Sequence, residues 1–89
     1  MRLAAKIDST QDAIVDALFA RGYKIQSLAR VGMGAPDLLI LTPAGNWRVI
    51  EVKSPGGKLT PAQVRWMQHY GRVPVVETVE AALVALEGW

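Results

Sequence analysis

The chain has 89 residues, 51% of them apolar, a net charge of +2 and no cysteine. That composition supplies one small core and excludes disulfide scaffolds and thiolate zinc sites, so the expectation is a single domain over 1–89. A pI near 9.3 leans toward anionic partners, yet Arg21, Lys24, Arg30, Arg48, Lys58, Arg65 and Arg72 are dispersed, so charge permits nucleic acid without demonstrating it. No window approaches the length of a membrane span, and Met1 to Lys6 lacks the apolar run of a signal peptide. A domain this small would gain stability as a homodimer.

In chain order, Asp8 with Gln11 three residues on forms a variant capping box. Ile14, Ala17 and Leu18 recur at helical spacing, and Gly22 suits a left-handed stop, which predicts a helix over Ser9 to Arg21. Tyr23 to Leu28 alternates as a strand. Ala29 to Pro36 is a loop whose Gly32 and Gly34 either make a turn or let backbone approach a ligand or phosphate closely. Leu38 to Thr42 and Asn46 to Lys53 read as strands joined by Pro43-Ala44-Gly45, a three-residue hairpin loop ending in a bulge. After the Ser54 to Lys58 connector, Thr60 caps, Pro61 opens and Gln63 completes the first turn of a helix that Gly71 ends. Val73 to Glu77 is a short strand with Pro74 at its start. Thr78 then caps a last helix, with Val79, Ala82, Leu83 and Leu86 as its apolar stripe and Gly88 as its stop.

The hairpin register carries the chemistry. With Thr42 facing Asn46, Leu41 lies opposite Trp47, Leu39 opposite Val49 and Asp37 opposite Glu51, and opposed Cβ atoms sit roughly 4.5–5.5 Å apart. Lys53 follows on the same face, about 7 Å along the strand. Two carboxylates facing one pocket are what a hard cation such as Mg²⁺ takes, with the Val52 carbonyl as third ligand and water and phosphate completing the shell. Lys53 beside that site would orient or help deprotonate an attacking water and offset charge on a phosphate, so the set describes metal-assisted phosphodiester hydrolysis. The competing reading of Glu-x-Lys is a solvated strand face, and of Pro-Asp a turn. His69, the single histidine, gives little support to a histidine-based site, and Trp47, Trp66 and Trp89 serve either base stacking or core and dimer contacts.

Pro36-Asp37, thirteen intervening residues and Glu51-Val52-Lys53 resemble the PD-(D/E)xK nuclease signature. Gly32-Met33-Gly34-Ala35 before it and Lys58-Leu59-Thr60-Pro61-Ala62-Gln63 after it are similar to the small VRR-NUC (virus-type replication-repair nuclease) branch, over about Asp8 to Glu87. The resemblance implies an α/β, restriction-endonuclease-like αβββαβα core with a central mixed sheet flanked by helices. It implies an Mg²⁺- or Mn²⁺-dependent endonuclease acting on DNA. Stand-alone phage and bacterial members are similar to Holliday junction resolvases, which implies branched DNA, a homodimer and a cytoplasmic setting. Asp37, Glu51 and Lys53 match the catalytic positions and Gln63 the glutamine on the following helix, beside its capping role. Lys58, Arg65 and Arg72 flank the site and, with Gly32 and Gly34, are candidates for phosphate contact. Where wider relatives carry a glutamate on the first helix, this chain has Gln11, able to hydrogen-bond at the site without adding charge; Asp12 points about 100° away. That departure, with the small size, motivates the alternative of a non-catalytic DNA-binding or assembly module on a nuclease scaffold.

Overall fold

A computed structural model describes residues 9–87. The Asp8 cap, the Gly88 stop and Trp89 lie outside the described residues. Helix α1, Ser9–Ala20, turns Ile14 and Leu18, four residues apart, into the core. Its end is a Schellman motif: the Gly22 N–H donates to the Phe19 carbonyl at 3.1 Å, the Tyr23 N–H to the Leu18 carbonyl at 3.1 Å, and Gly22 takes φ +87°. Buried Tyr23 and Leu18 supply the apolar contact that accompanies that motif.

Strands β1 (Lys24–Ser27), β2 (Leu38–Leu41) and β3 (Trp47–Val52) form an antiparallel meander. After helix α2 (Pro61–Tyr70) crosses over, β4 (Val75–Val76) joins β3 in parallel, so the order is β1-β2-β3-β4 in a mixed sheet. Helix α3, Val79–Glu87, closes the chain with the Thr78 hydroxyl accepting from the Ala81 N–H at 3.0 Å. The element order is the expected αβββαβα. The strands are shorter than their sequence patterns. β4 begins after Pro74, which has no N–H to give a ladder, although its carbonyl accepts from the Glu51 N–H at 2.9 Å. No helix among the described residues is long and apolar enough to cross a membrane.

The β2–β3 turn has the anticipated form. The Thr42 N–H donates to the Asn46 carbonyl at 2.8 Å, the Gly45 N–H returns to the Thr42 carbonyl at 2.8 Å, and Gly45 takes φ +92°. Leu41 therefore pairs with Trp47, Leu39 with Val49 and Leu38 with Ile50. Period-two alternation then divides the sheet. Leu38, Ile40, Ile50 and Val52 face one way and pack with Ile14 and Leu18 of α1, Ala82 and Leu86 of α3, and Val76. Leu39, Val49 and Glu51 face the other way, where Glu51 meets α2, a helix with no fully buried residue of its own.

Candidate active site

Asp37 is fixed from both ends. Its carbonyl accepts from the Leu28 N–H at 2.8 Å, continuing the β1–β2 pairing one step past the strands. Its Oδ2 accepts from the Val52 N–H at 2.8 Å. Pro36 stops β2 from extending opposite Val52, and the Asp37 carboxylate takes the donor that a longer strand would have taken. In a strand the N–H and C=O of one residue project to the same edge, so the Val52 carbonyl lies on the side where Asp37 sits.

Glu51 stands on the α2 side of β3 and is only 1% exposed. Its Oε2 receives the Gln63 Nε2 at 2.6 Å and lies 3.5 Å from the Lys53 Nζ. Its Oε1 is buried and receives no donor while the carboxyl is ionised; protonated, the carboxyl hydrogen-bonds to Asp37. Burial, then the charge of Asp37 and a hydrogen bond to it, raise the Glu51 carboxyl from 4.5 to about 7, with Lys53 acting in the opposite direction. Without a further cation the carboxylate pair therefore retains a proton to near neutrality.

The helix cap sets the direction of Gln63. Thr60 Oγ1 accepts from the Gln63 N–H at 3.2 Å, and Gln63 Oε1 accepts from the Thr60 N–H at 2.9 Å, a complete capping box with Pro61 in the first turn. Because the amide oxygen is committed to Thr60, the NH₂ group has to face Glu51. The capping and site roles of Gln63 are two ends of one amide.

Gly34 seats α2 against the loop. At φ +84°, a Cβ on it would fall 2.2 Å from the Ala62 carbonyl oxygen. The close approach that this glycine permits is thus to the protein's own backbone, whereas a Cβ on Gly32 would meet nothing within 4 Å.

The fold brings Asp37, Glu51, Lys53 and Gln63 together, and no hydrogen bond or ion pair among the described residues ties the other candidates to them. Gln11, half-buried on α1, makes no hydrogen bond to any of them, and Asp12 is exposed. Lys58 and Arg72 are exposed. Arg65, also exposed, lines a groove beside α2, and His69 packs edge-on to Tyr70 with centroids 4.5 Å apart. No sequence motif marks that groove beyond the spacing of Ala62, Trp66 and Tyr70, which repeat every fourth residue along α2.

Chemically, the site is an acidic pair with an orphaned buried oxygen and one ammonium. No group of three or more His, Cys, Asp or Glu suited to a metal occurs among the described residues. Two carboxylates, one of them with an unsatisfied oxygen, nonetheless suit a hard cation that keeps water and substrate oxygens in its shell. The model of the VRR-NUC domain matches residues 4–81, most of the length.

The chain belongs to the VRR-NUC domain family.

A solved structure described as a VRR_NUC domain is similar at TM-score 0.68 and 26% identity, covering 91% of this chain and 95% of that one. No curated protein matches. Membership makes this a nuclease-type domain, for which DNA is the implied substrate.

Proposed function

We propose that this VRR-NUC domain is a divalent-metal-dependent endonuclease that hydrolyses phosphodiester bonds in DNA, selective for branched forms such as four-way junctions and acting as a homodimer. The observation that carries the reading is Glu51: a buried carboxylate held through Oε2 by Gln63 and Lys53, with Oε1 unpartnered and Asp37 alongside. Asp37, Glu51 and the Val52 carbonyl would hold Mg²⁺ or Mn²⁺, which when bound supplies Lewis acidity and charge neutralisation at the phosphate. Lys53 positions the attacking water and offsets charge that builds on the phosphate oxygens as the new P–O bond forms and the ester bond breaks. Gln63 keeps Glu51 aimed inward through the capping box. Exposed Lys58 and Arg72 track the DNA backbone.

The test is a cleavage panel of four-way junction, flap and linear duplex DNA with Mg²⁺, Mn²⁺ or EDTA. The junction should be cut in either metal and not in EDTA, and Lys53→Ala should lower the rate roughly 10²–10³-fold with DNA affinity kept. Cleavage that persists in EDTA, or in full in Lys53→Ala, overturns the mechanism. DNA binding indifferent to metal, with no substrate cut, marks the non-catalytic module instead. Light scattering on the eluting protein reads the dimer directly.

A further inference from the structure

A cavity of about 480 Å³ lies between the Val31–Met33 turn and α2, lined also by Ala62, Arg65, Trp66 and Tyr70. Its size falls in the range of about 300–1,000 Å³ typical of small-ligand sites. Ala62, Trp66 and Tyr70 form one stripe of α2. Gln63, one residue and about 100° further round, reaches Glu51, so groove and carboxylates share a helix and adjoin at its first turn.

The walls are apolar and open. Met33 is 89% exposed and Tyr70 68% exposed, a concentration of unburied apolar surface that signals binding rather than core. Trp66 and Tyr70 have centroids 4.7 Å apart with planes tilted by 39°, and His69 meets Tyr70 edge-on. The opposite wall is a turn closed by bonds from the Val31 N–H to the Leu28 carbonyl and from the Ala35 N–H to the Gly32 carbonyl, and tied to Ala62 by Gly34. Within it Met33 takes φ +58°, the one non-glycine residue at positive φ among the described residues. Left-handed backbone at a non-glycine residue is uncommon and costly, and it clusters at binding sites. Among the described residues, Arg65 is the one charged residue of the lining, which includes no carboxylate.

We propose that this groove receives an unpaired nucleobase of the DNA strand being cut, stacked against Trp66 and Tyr70, with Arg65 on the adjoining phosphate. Aromatic rings beside a cation, without acidic neighbours, are the usual platform for single-stranded nucleic acid. Bases in an intact duplex are stacked on one another and do not reach such a slot, so the groove selects DNA with an opened or branched segment. The inference rests on reading the domain as a DNA nuclease, and gives that reading a physical source of preference for branched substrates.

The test measures binding in EDTA, where the proposed chemistry is off. Anisotropy compares a short single strand carrying 2-aminopurine with the same sequence as blunt duplex. Tyr70→Leu, at an exposed position that leaves the fold intact, and Trp66→Leu should each weaken the single strand by about 5- to 100-fold and the duplex by less than about twofold, and Trp66→Phe should restore most of the loss. The 2-aminopurine emission should be quenched by the unaltered protein and not by Tyr70→Leu. Equal losses on both DNAs, no loss, no quenching, or no single-strand binding by the unaltered protein overturns the proposal. So does conversion of a dimer to a monomer by the leucine variants, which would give the groove to a second copy of the chain. A protein that cuts junctions with unchanged Tyr70→Leu binding keeps the nuclease reading and loses this one; a protein that stacks the base but cuts nothing does the reverse.

Discussion

On one face of the sheet, Ile14, Leu18, Leu38, Ile40 and Ile50 close an apolar core under two helices; on the other, the most deeply buried side chain is a glutamate under a helix none of whose residues is fully buried. The first face is held by non-directional burial, at roughly 25 cal/mol per Å² of apolar area, and tolerates no solvent. The second is held at two polar or backbone points, Gln63 on Glu51 and Gly34 under Ala62, which position α2 without sealing the space beneath it. Stability and chemistry are thereby assigned to opposite sides of the same β3 residues, Ile50 and Val52 on one and Glu51 on the other. Burying Glu51 costs desolvation, which the proton it keeps to about 7 and its contacts with Gln63 and Lys53 offset in part.

The largest expected effect tests the core side. Ile50→Ala should cost about 2–5 kcal/mol in urea unfolding, a large part of a total of about 5–15, while cleavage per folded molecule stays near that of the unaltered protein. A loss under about 1 kcal/mol would show that the two faces do not differ as described.

Next is the acidic face, read by pH. The metal-free folded chain keeps the Glu51 proton to about 7, whereas the unfolded chain releases it near 4.5. The folded state therefore binds more protons between those values, and stability should fall by roughly 3 kcal/mol as pH rises through that window. Glu51→Gln should flatten the curve and abolish cleavage, and saturating Mg²⁺ or Mn²⁺ should oppose the fall. A flat curve for the unaltered, metal-free protein would remove the electrostatic half of the comparison.

Gly34→Ala adds a clash with the Ala62 carbonyl to the strain of φ +84°, and should cost on the order of 1–3 kcal/mol and displace α2. Gly32→Ala, at φ +70° with open space around it, carries the backbone strain alone and should cost less. Equal costs for the two, measured by thermal unfolding, would mean that Gly34 does not seat the helix. The smallest change in stability belongs to Thr60→Ala, about 1 kcal/mol for the lost cap. Its effect on cleavage should exceed what that loss explains, because the Gln63 amide would be free to turn from Glu51. Unchanged cleavage would reduce the capping box to a structural device.

Much of this arrangement was legible in the residues. Pro43-Ala44-Gly45 determines the hairpin register because a three-residue loop with a left-handed glycine admits one pairing, and that pairing sets Asp37 across from Glu51. The Thr60-Pro61-x-Gln63 start of α2 was readable for the same local reason. What was not readable lies between distant segments. Gly32 and Gly34 read equally as a turn or as a close approach to a ligand, and the neighbour of Gly34 is a helix turn twenty-eight residues along the chain. The groove has no local signature, because Val31 and Met33 face Trp66 and Tyr70 only after α2 has crossed over.

The sequence by itself determined the element order and the hairpin register, because turn geometry and side-chain periodicity act over a few residues. Only the tertiary structure decided that Glu51 keeps one oxygen unpartnered, that a single amide serves both cap and carboxylate, and that an aromatic groove opens beside them. Those features depend on where the crossover lays α2 across the sheet, which the packing of Gly34 against Ala62 sets and no local pattern encodes.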